Sequence, residues 1–190
     1  MKKLLLLFVS ITFVNCSNDD AELPSDNPVN TNSRISLKIN STNFNELLVH
    51  NSSTNQMEHS LEWYKINNGD GTFSYGLSGY ITSSTETSMG SDASFNIDLG
   101  KDIVEGQIIN VNSPDFELDI AYTLSASNVG YRNWNGTTTG QIKITHFDGV
   151  TMTGEFNFAN VNKYTDNPNV GEDLFNNTVV GTFSSITKSN

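Results

Sequence analysis

The chain has 190 residues, with 10 Lys+Arg against 21 Asp+Glu, a formal net charge of -11, three His and one Cys. One Cys excludes an internal disulfide framework and a Cys-based zinc site, and so acidic a chain is a poor match for a phosphate backbone, which argues against a nucleic-acid partner. The hydrophobic share of 36% is low for a globular protein, and the length suits one ordinary domain.

The amino terminus opens with Lys2 and Lys3, followed by an apolar run from Leu4 to Val14 that ends at Cys16. A membrane-spanning helix needs about 20 apolar residues, so this run fits the h-region of a secretory signal instead. The Cys that closes it resembles the lipobox of bacterial lipoproteins, which implies a signal peptide over 1–15 and a lipid on Cys16. Removal of 1–15 takes away two lysines and no acid, shifting the charge from -11 to -13. Charge would not draw such a chain to an anionic membrane surface, so the lipid would have to hold it there. Ser17-Asn18-Asp19-Asp20-Ala21-Glu22 resembles the surface-export signal of Bacteroidetes lipoproteins, implying an outer-membrane protein that faces the cell exterior. Residues 23–33 carry Pro24, Pro28 and few apolar side chains. They read, with 16–22, as a flexible acidic tether.

From Arg34 the pattern is one of strands, and 34–190 is expected to form a single all-β domain. Apolar and polar residues alternate over Ile35–Asn40, Thr72–Leu77, Ser94–Leu99, Asp115–Leu124, Gln141–His146 and Met152–Phe158, the period-two signature of half-buried strands. In the fourth, Phe116, Leu118, Ile120, Tyr122 and Leu124 share one face, and Asp115, Glu117 and Asp119 share the other. Val179 and Phe183 share a face near the end. Leu61–Ile66 mixes both faces, as a strand covered on each side would. Asn67-Asn68-Gly69-Asp70-Gly71, Asp148-Gly149 and Asn135-Gly136 predict hairpin turns. Residues 160–173 read as a long polar loop. No window carries a capped helical stripe. The expectation is an antiparallel β-sandwich or flattened barrel of about 9–10 strands.

In the last third, Gly140-Gln141-Ile142-Lys143-Ile144-Thr145, then Met152-Thr153-Gly154-Glu155-Phe156-Asn157-Phe158, then Val180-Gly181-Thr182-Phe183 resemble a family of uncharacterised Bacteroidetes lipoproteins, the DUF6252-type domain. The resemblance covers residues 138–187 and implies a lipid-anchored all-β domain, with no activity or catalytic residues to carry over. The residues themselves suggest that Gly154 and Gly181 mark a bulge or the close approach of another segment.

Candidate chemistry is thin. His146 follows Ile142 and Ile144 on an apolar face, which predicts a packed core histidine. His59 lies beside Glu58 and near Glu62, in no recognised metal spacing. The row Asp115, Glu117 and Asp119 has the oxygen ligands that calcium takes and the carboxylates that glycoside hydrolysis uses, yet the outer face of any strand in an acidic protein shows the same. Gly76-Leu77-Ser78-Gly79 is one residue short of a nucleophile elbow. These observations predict no catalytic residues, no metal and no cofactor. Trp134, Tyr131 and Arg132 stand among Asn and Gly, and Trp63 stands beside Tyr64. Exposed, they would stack on and hydrogen-bond a sugar; buried, they would plug one end of the core. The expectation is therefore a non-catalytic binding module for a glycan or small ligand, with a structural or protein-interaction domain as the alternative and an enzyme as the weakest option.

Overall fold

In a computed structural model, the described residues are 34–83, 92–101, 103–113, 115–124, 127–133, 136–165 and 174–189. They belong to one compact unit, Ser33–Asn190. Cys16 and the tether lie outside them, as does Trp134. Among the described residues there are thirteen strands: β1 (Ile35–Ile39), β2 (Thr42–Glu46), β3 (Leu48–Asn51), β4 (Gln56–His59), β5 (Glu62–Asn67), β6 (Phe73–Ser83), β7 (Asp92–Lys101), β8 (Ile108–Asn110), β9 (Glu117–Leu124), β10 (Ser127–Arg132), β11 (Thr139–Phe147), β12 (Thr151–Thr165) and β13 (Leu174–Lys188).

Eight of them close a barrel. The ring runs β1–β2–β6–β7–β9–β10–β12–β13 and returns to β1, every neighbour antiparallel. Three further strands, β5, β8 and β11, extend the same sheet beyond the ring. β5 lies between β6, which it pairs antiparallel, and the last residues of β13, which it pairs parallel. β11 takes the early edge of β12, and β8 pairs with β11. β12 can serve two sets of partners because its 15 residues span about 50 Å. Bulges at Met152/Gly154, Phe158/Val161 and Val161/Lys163 bend it around the ring. β3 and β4 form a separate hairpin.

An eight-stranded barrel is just wide enough for side chains to fill or for one small ligand. Here rings occupy the inside: Phe156 lies against Phe158, Phe95 and Phe183, with centroids 5.6, 6.2 and 6.5 Å away, and Phe116 against Phe158 at 5.4 Å. The alternation seen in the sequence supplies the rest of the core, with Ile35, Leu37, Ile39, Ile97, Leu118, Ile120, Ile142 and Ile144 all buried. Small residues make the ring packing possible. Gly154 is the register partner of Phe183, and Gly181 that of Phe156. A Cβ on Gly181 would lie 2.7 Å from Phe156 Cζ and 2.6 Å from the Ser36 carbonyl; one on Gly154 would collide with the Phe183 ring.

One inward position is a carboxylate. Glu46 has a side chain 2% exposed. It accepts the Leu61 N–H at 2.7 Å, the Arg34 N–H at 3.2 Å and His59 Nδ1 at 3.0 Å. Three donors offset the cost of burying the charge. They tie the start of β1, the end of the β3–β4 hairpin and the approach to β5 to one side chain.

Two of the three predicted hairpin turns form, joining β5 to β6 and β11 to β12. Gly69 and Gly71 adopt φ of 80° and 88°, with Asn67 Oδ1 accepting the Gly69 N–H. Asp148 Oδ1 accepts the Val150 and Thr151 N–H groups at 2.8 and 2.7 Å. Those bonds hold its carboxyl down at about 2, Thr151 contributing most. β10 and β11, on either side of Asn135-Gly136, do not pair with each other: β10 pairs with β9 and β12, and β11 with β12 and β8; Asn135 itself lies outside the described residues. Tyr131 and Arg132, which stand among Asn and Gly in the sequence, lie on strand β10. β12 continues to Thr165, which removes the first residues of the expected 160–173 loop; 166–173 lie outside the described residues.

Candidate functional site

The aromatic cleft expected from the sequence is not built from Trp63 and Tyr131. Trp63 is 2% exposed. Its ring packs against Tyr75 and the edge of Phe147, at 6.2 and 5.2 Å, and its indole N–H donates to the Val150 carbonyl at 3.0 Å. The reason lies in topology: β5 is inserted between β6 and β13, which puts Trp63 on the inner face. Tyr131 is also buried, 6% exposed, on the inward face of β10. Arg132 is half-buried and points the other way, its guanidinium 4.5 Å from the Tyr164 ring centroid.

His146 also departs from expectation. The register shifts between Ile144 and His146, and this bulge turns the side chain outward, 46% exposed. There Nδ1 meets Glu105 Oε2 at 2.9 Å and Nε2 lies 3.6 Å from Asp148 Oδ2. His59 pairs with Glu46 and not with Glu58, which accepts from Asn51 and Thr54.

The acidic row lies on the outer face. Asp115 and Glu117 are exposed and Asp119 is half-buried. Asp119 Oδ1 accepts the Tyr164 hydroxyl at 3.0 Å. Glu117 is the register partner of Asp98, whose Oδ1 takes the Tyr64 hydroxyl. Burial, then the carboxylate hydrogen bond, pushes the Tyr164 phenol up to about 12. The same two causes raise Tyr64 well above its ordinary value. Among the described residues no group of three or more His, Cys, Asp and Glu is placed to hold a metal ion.

What the barrel presents instead is an open groove on its outer wall, with a volume of about 380 Å³. It crosses β2, β1, β13, β12 and β11. Register sets the lining in two rows. One runs Lys143, Glu155, Thr182, Ser36; the other runs Gln141, Asn157, Val180, Lys38, Asn43. Gly181, with Leu37 and Phe156, forms the floor between them. Period-two alternation puts these polar residues outside, and hydrogen-bonded strands hold the backbone under each one. The lining thus offers three amides, two hydroxyls, two ammonium groups and one carboxylate, on a wall backed by the packed rings. Sequence reasoning missed this site because each residue is an ordinary outward polar position on its own strand.

Comparison with known proteins returns no family model, no curated protein and no solved structure that matches the chain.

Proposed function

We propose that the protein is a lipid-anchored outer-membrane surface protein, held through Cys16 and facing the cell exterior, that acts as a non-catalytic binding module for a glycan. The observation that carries the binding reading is the groove: five strands converge amide, hydroxyl and charged side chains on one outer wall. Amides and hydroxyls in fixed register suit a ligand rich in hydroxyl groups, since each can donate and accept. A barrel interior filled by phenylalanine rings favours recognition outside the wall. The leader, Cys16 and the resemblance of residues 138–187 to the DUF6252-type lipoproteins support the location.

The test is a thermal-shift screen of the full chain against oligosaccharides, since a ligand that binds the folded state raises the melting temperature by mass action. A shift with one saccharide class that disappears in Gln141→Ala/Asn157→Ala is the expected result. No shift with any saccharide, or a shift untouched by that variant, would overturn the groove as the binding site. For the anchor, Cys16→Ser should release the protein from membranes and abolish lipid labelling.

A protein-interaction role has one observation in its favour. β8 ends the strand order with its outer edge unpaired among the described residues, and Ile108 on it is 51% exposed. Such an edge can accept a further strand. Lys or Pro substitutions at Ile108 that abolish capture of a surface partner, with saccharide binding intact, would favour it.

A further inference from the structure

We infer that the groove is built for a saccharide that carries repeated negative charges; the inference rests on the groove reading above. Residues 34–190 hold eight of the chain's Lys and Arg against 17 Asp and Glu, since Lys2 and Lys3 and the acids Asp19, Asp20, Glu22 and Asp26 precede them. Acids therefore outnumber bases about two to one over the domain. The groove inverts that ratio, with Lys38 and Lys143 against Glu155.

These two ammonium groups, like those of Lys101 and Lys163 outside the groove, enter no ion pair and lie over no ring among the described residues. Arg34 bonds Thr187, Lys65 lies over Phe73, Arg132 over Tyr164 and Lys188 over Trp63. Lys38 and Lys143 enter no ion pair among the described residues, where the three within 4.0 Å all use histidine. Lys143 and Glu155 are register partners, yet they form none. In a chain this acidic, two unpaired cations in one concavity attract an anion that the rest of the surface repels.

Their spacing selects the shape of that anion. Lys143 on β11 and Lys38 on β1 are separated by β12 and β13, three strand spacings or about 14 Å, and stand in rows about 7 Å apart along the strands. A single phosphate or carboxylate cannot touch both. An extended chain can, laying hydroxyls on Gln141, Asn157, Thr182 and Ser36 between its two charged contacts. The lining has no exposed aromatic face on which a base could stack, so the amide and hydroxyl lining favours a charged saccharide over a nucleic acid.

The test compares ligands that differ in charge alone, with the full chain. The probes are an oligogalacturonate and its methyl-esterified neutral form, and dextran sulfate against dextran. Two exposed ion contacts predict a Kd roughly two- to thirtyfold lower for the charged member of a pair, with the advantage shrinking as salt rises. Preference for the uronate identifies a carboxylated ligand, and preference for dextran sulfate a sulfated one. Lys38→Gln/Lys143→Gln should bring the charged probe to the neutral probe's affinity while leaving the melting temperature in place. Equal affinity for charged and neutral members would overturn the charge inference and leave the groove reading standing. An unchanged preference in the double variant, or tighter binding of a single-stranded oligonucleotide, would also overturn it. No binding of any saccharide would remove both.

Discussion

Among the described residues, four glycines lie under aromatic rings that reach across from the neighbouring strand, two on the inside of the barrel wall and two on the outside. Inside, Phe183 covers Gly154 and Phe156 covers Gly181; outside, Tyr64 covers Gly76 and Tyr164 covers Gly130. The same cross-strand device serves two purposes. The inner rings are enclosed and carry no polar atom, so they contribute packing and apolar burial. The outer rings keep one side in solvent and end in a hydroxyl, so each needs an acceptor and finds one in Asp98 or Asp119. The comparison teaches that the wall is glued on both faces, but that its rigidity comes from the inner pairs and its polar chemistry from the outer ones.

The largest effect should come from deleting an inner ring. Phe156→Ala removes the ring that touches Phe95, Phe158 and Phe183 and should cost about 3–5 kcal/mol in denaturant unfolding. Filling the glycine is the next step. Gly181→Ala meets both the Phe156 ring and the Ser36 carbonyl, and should cost about 1–3 kcal/mol as overpacking. Gly130→Ala meets the Tyr164 ring tip, which can swing toward solvent, so its cost should stay below that of Gly181→Ala. Equal costs for the two glycine substitutions would break the distinction. Tyr164→Phe keeps the ring and loses the bond to Asp119, with an expected loss of about 0.5–1.5 kcal/mol.

The smallest effect appears in alkali. The Tyr164 phenol, ordinarily near 10.0, is raised to about 12. A folded-state pKa above the unfolded one means stability fully present below pH 10 and lost as pH rises through 12. An absorbance titration of tyrosinate should therefore show Tyr164 and Tyr64 ionising above the ordinary tyrosine range. In Asp119→Asn the Tyr164 step should move down in pH.

Much of the barrel was legible because inward and outward residues alternate cleanly where one face is core and the other water, as in Ile35–Ile39 and in Phe116–Ile120. Legibility failed where the inward residue is not apolar or the strand has little to bury. β2 turns Phe44 and Glu46 inward, and a buried carboxylate breaks the pattern that alternation detects. β8 has three residues, and the β3–β4 hairpin contributes no buried hydrophobic side chain. The expected ligand residues went astray for a related reason. A Trp or Tyr in a strand is amphipathic, and only topology decides which face it takes. For Trp63 the decision was made by β13, whose Lys188 pairs with it more than a hundred residues later. The groove was hidden more deeply still, because Lys38, Lys143, Asn157 and Thr182 become neighbours only through the closure of β13 on β1 and β12.

The most direct measurement is amide chemical-shift mapping of the full chain during titration with oligogalacturonate. Binding on the outer wall predicts perturbations concentrated at Lys38, Gln141, Lys143, Asn157 and Thr182, with the amides of Trp63, Phe95 and Leu118 unmoved. Perturbations centred on Trp63 and the β5 end, or spread through the ring-filled interior, would contradict it.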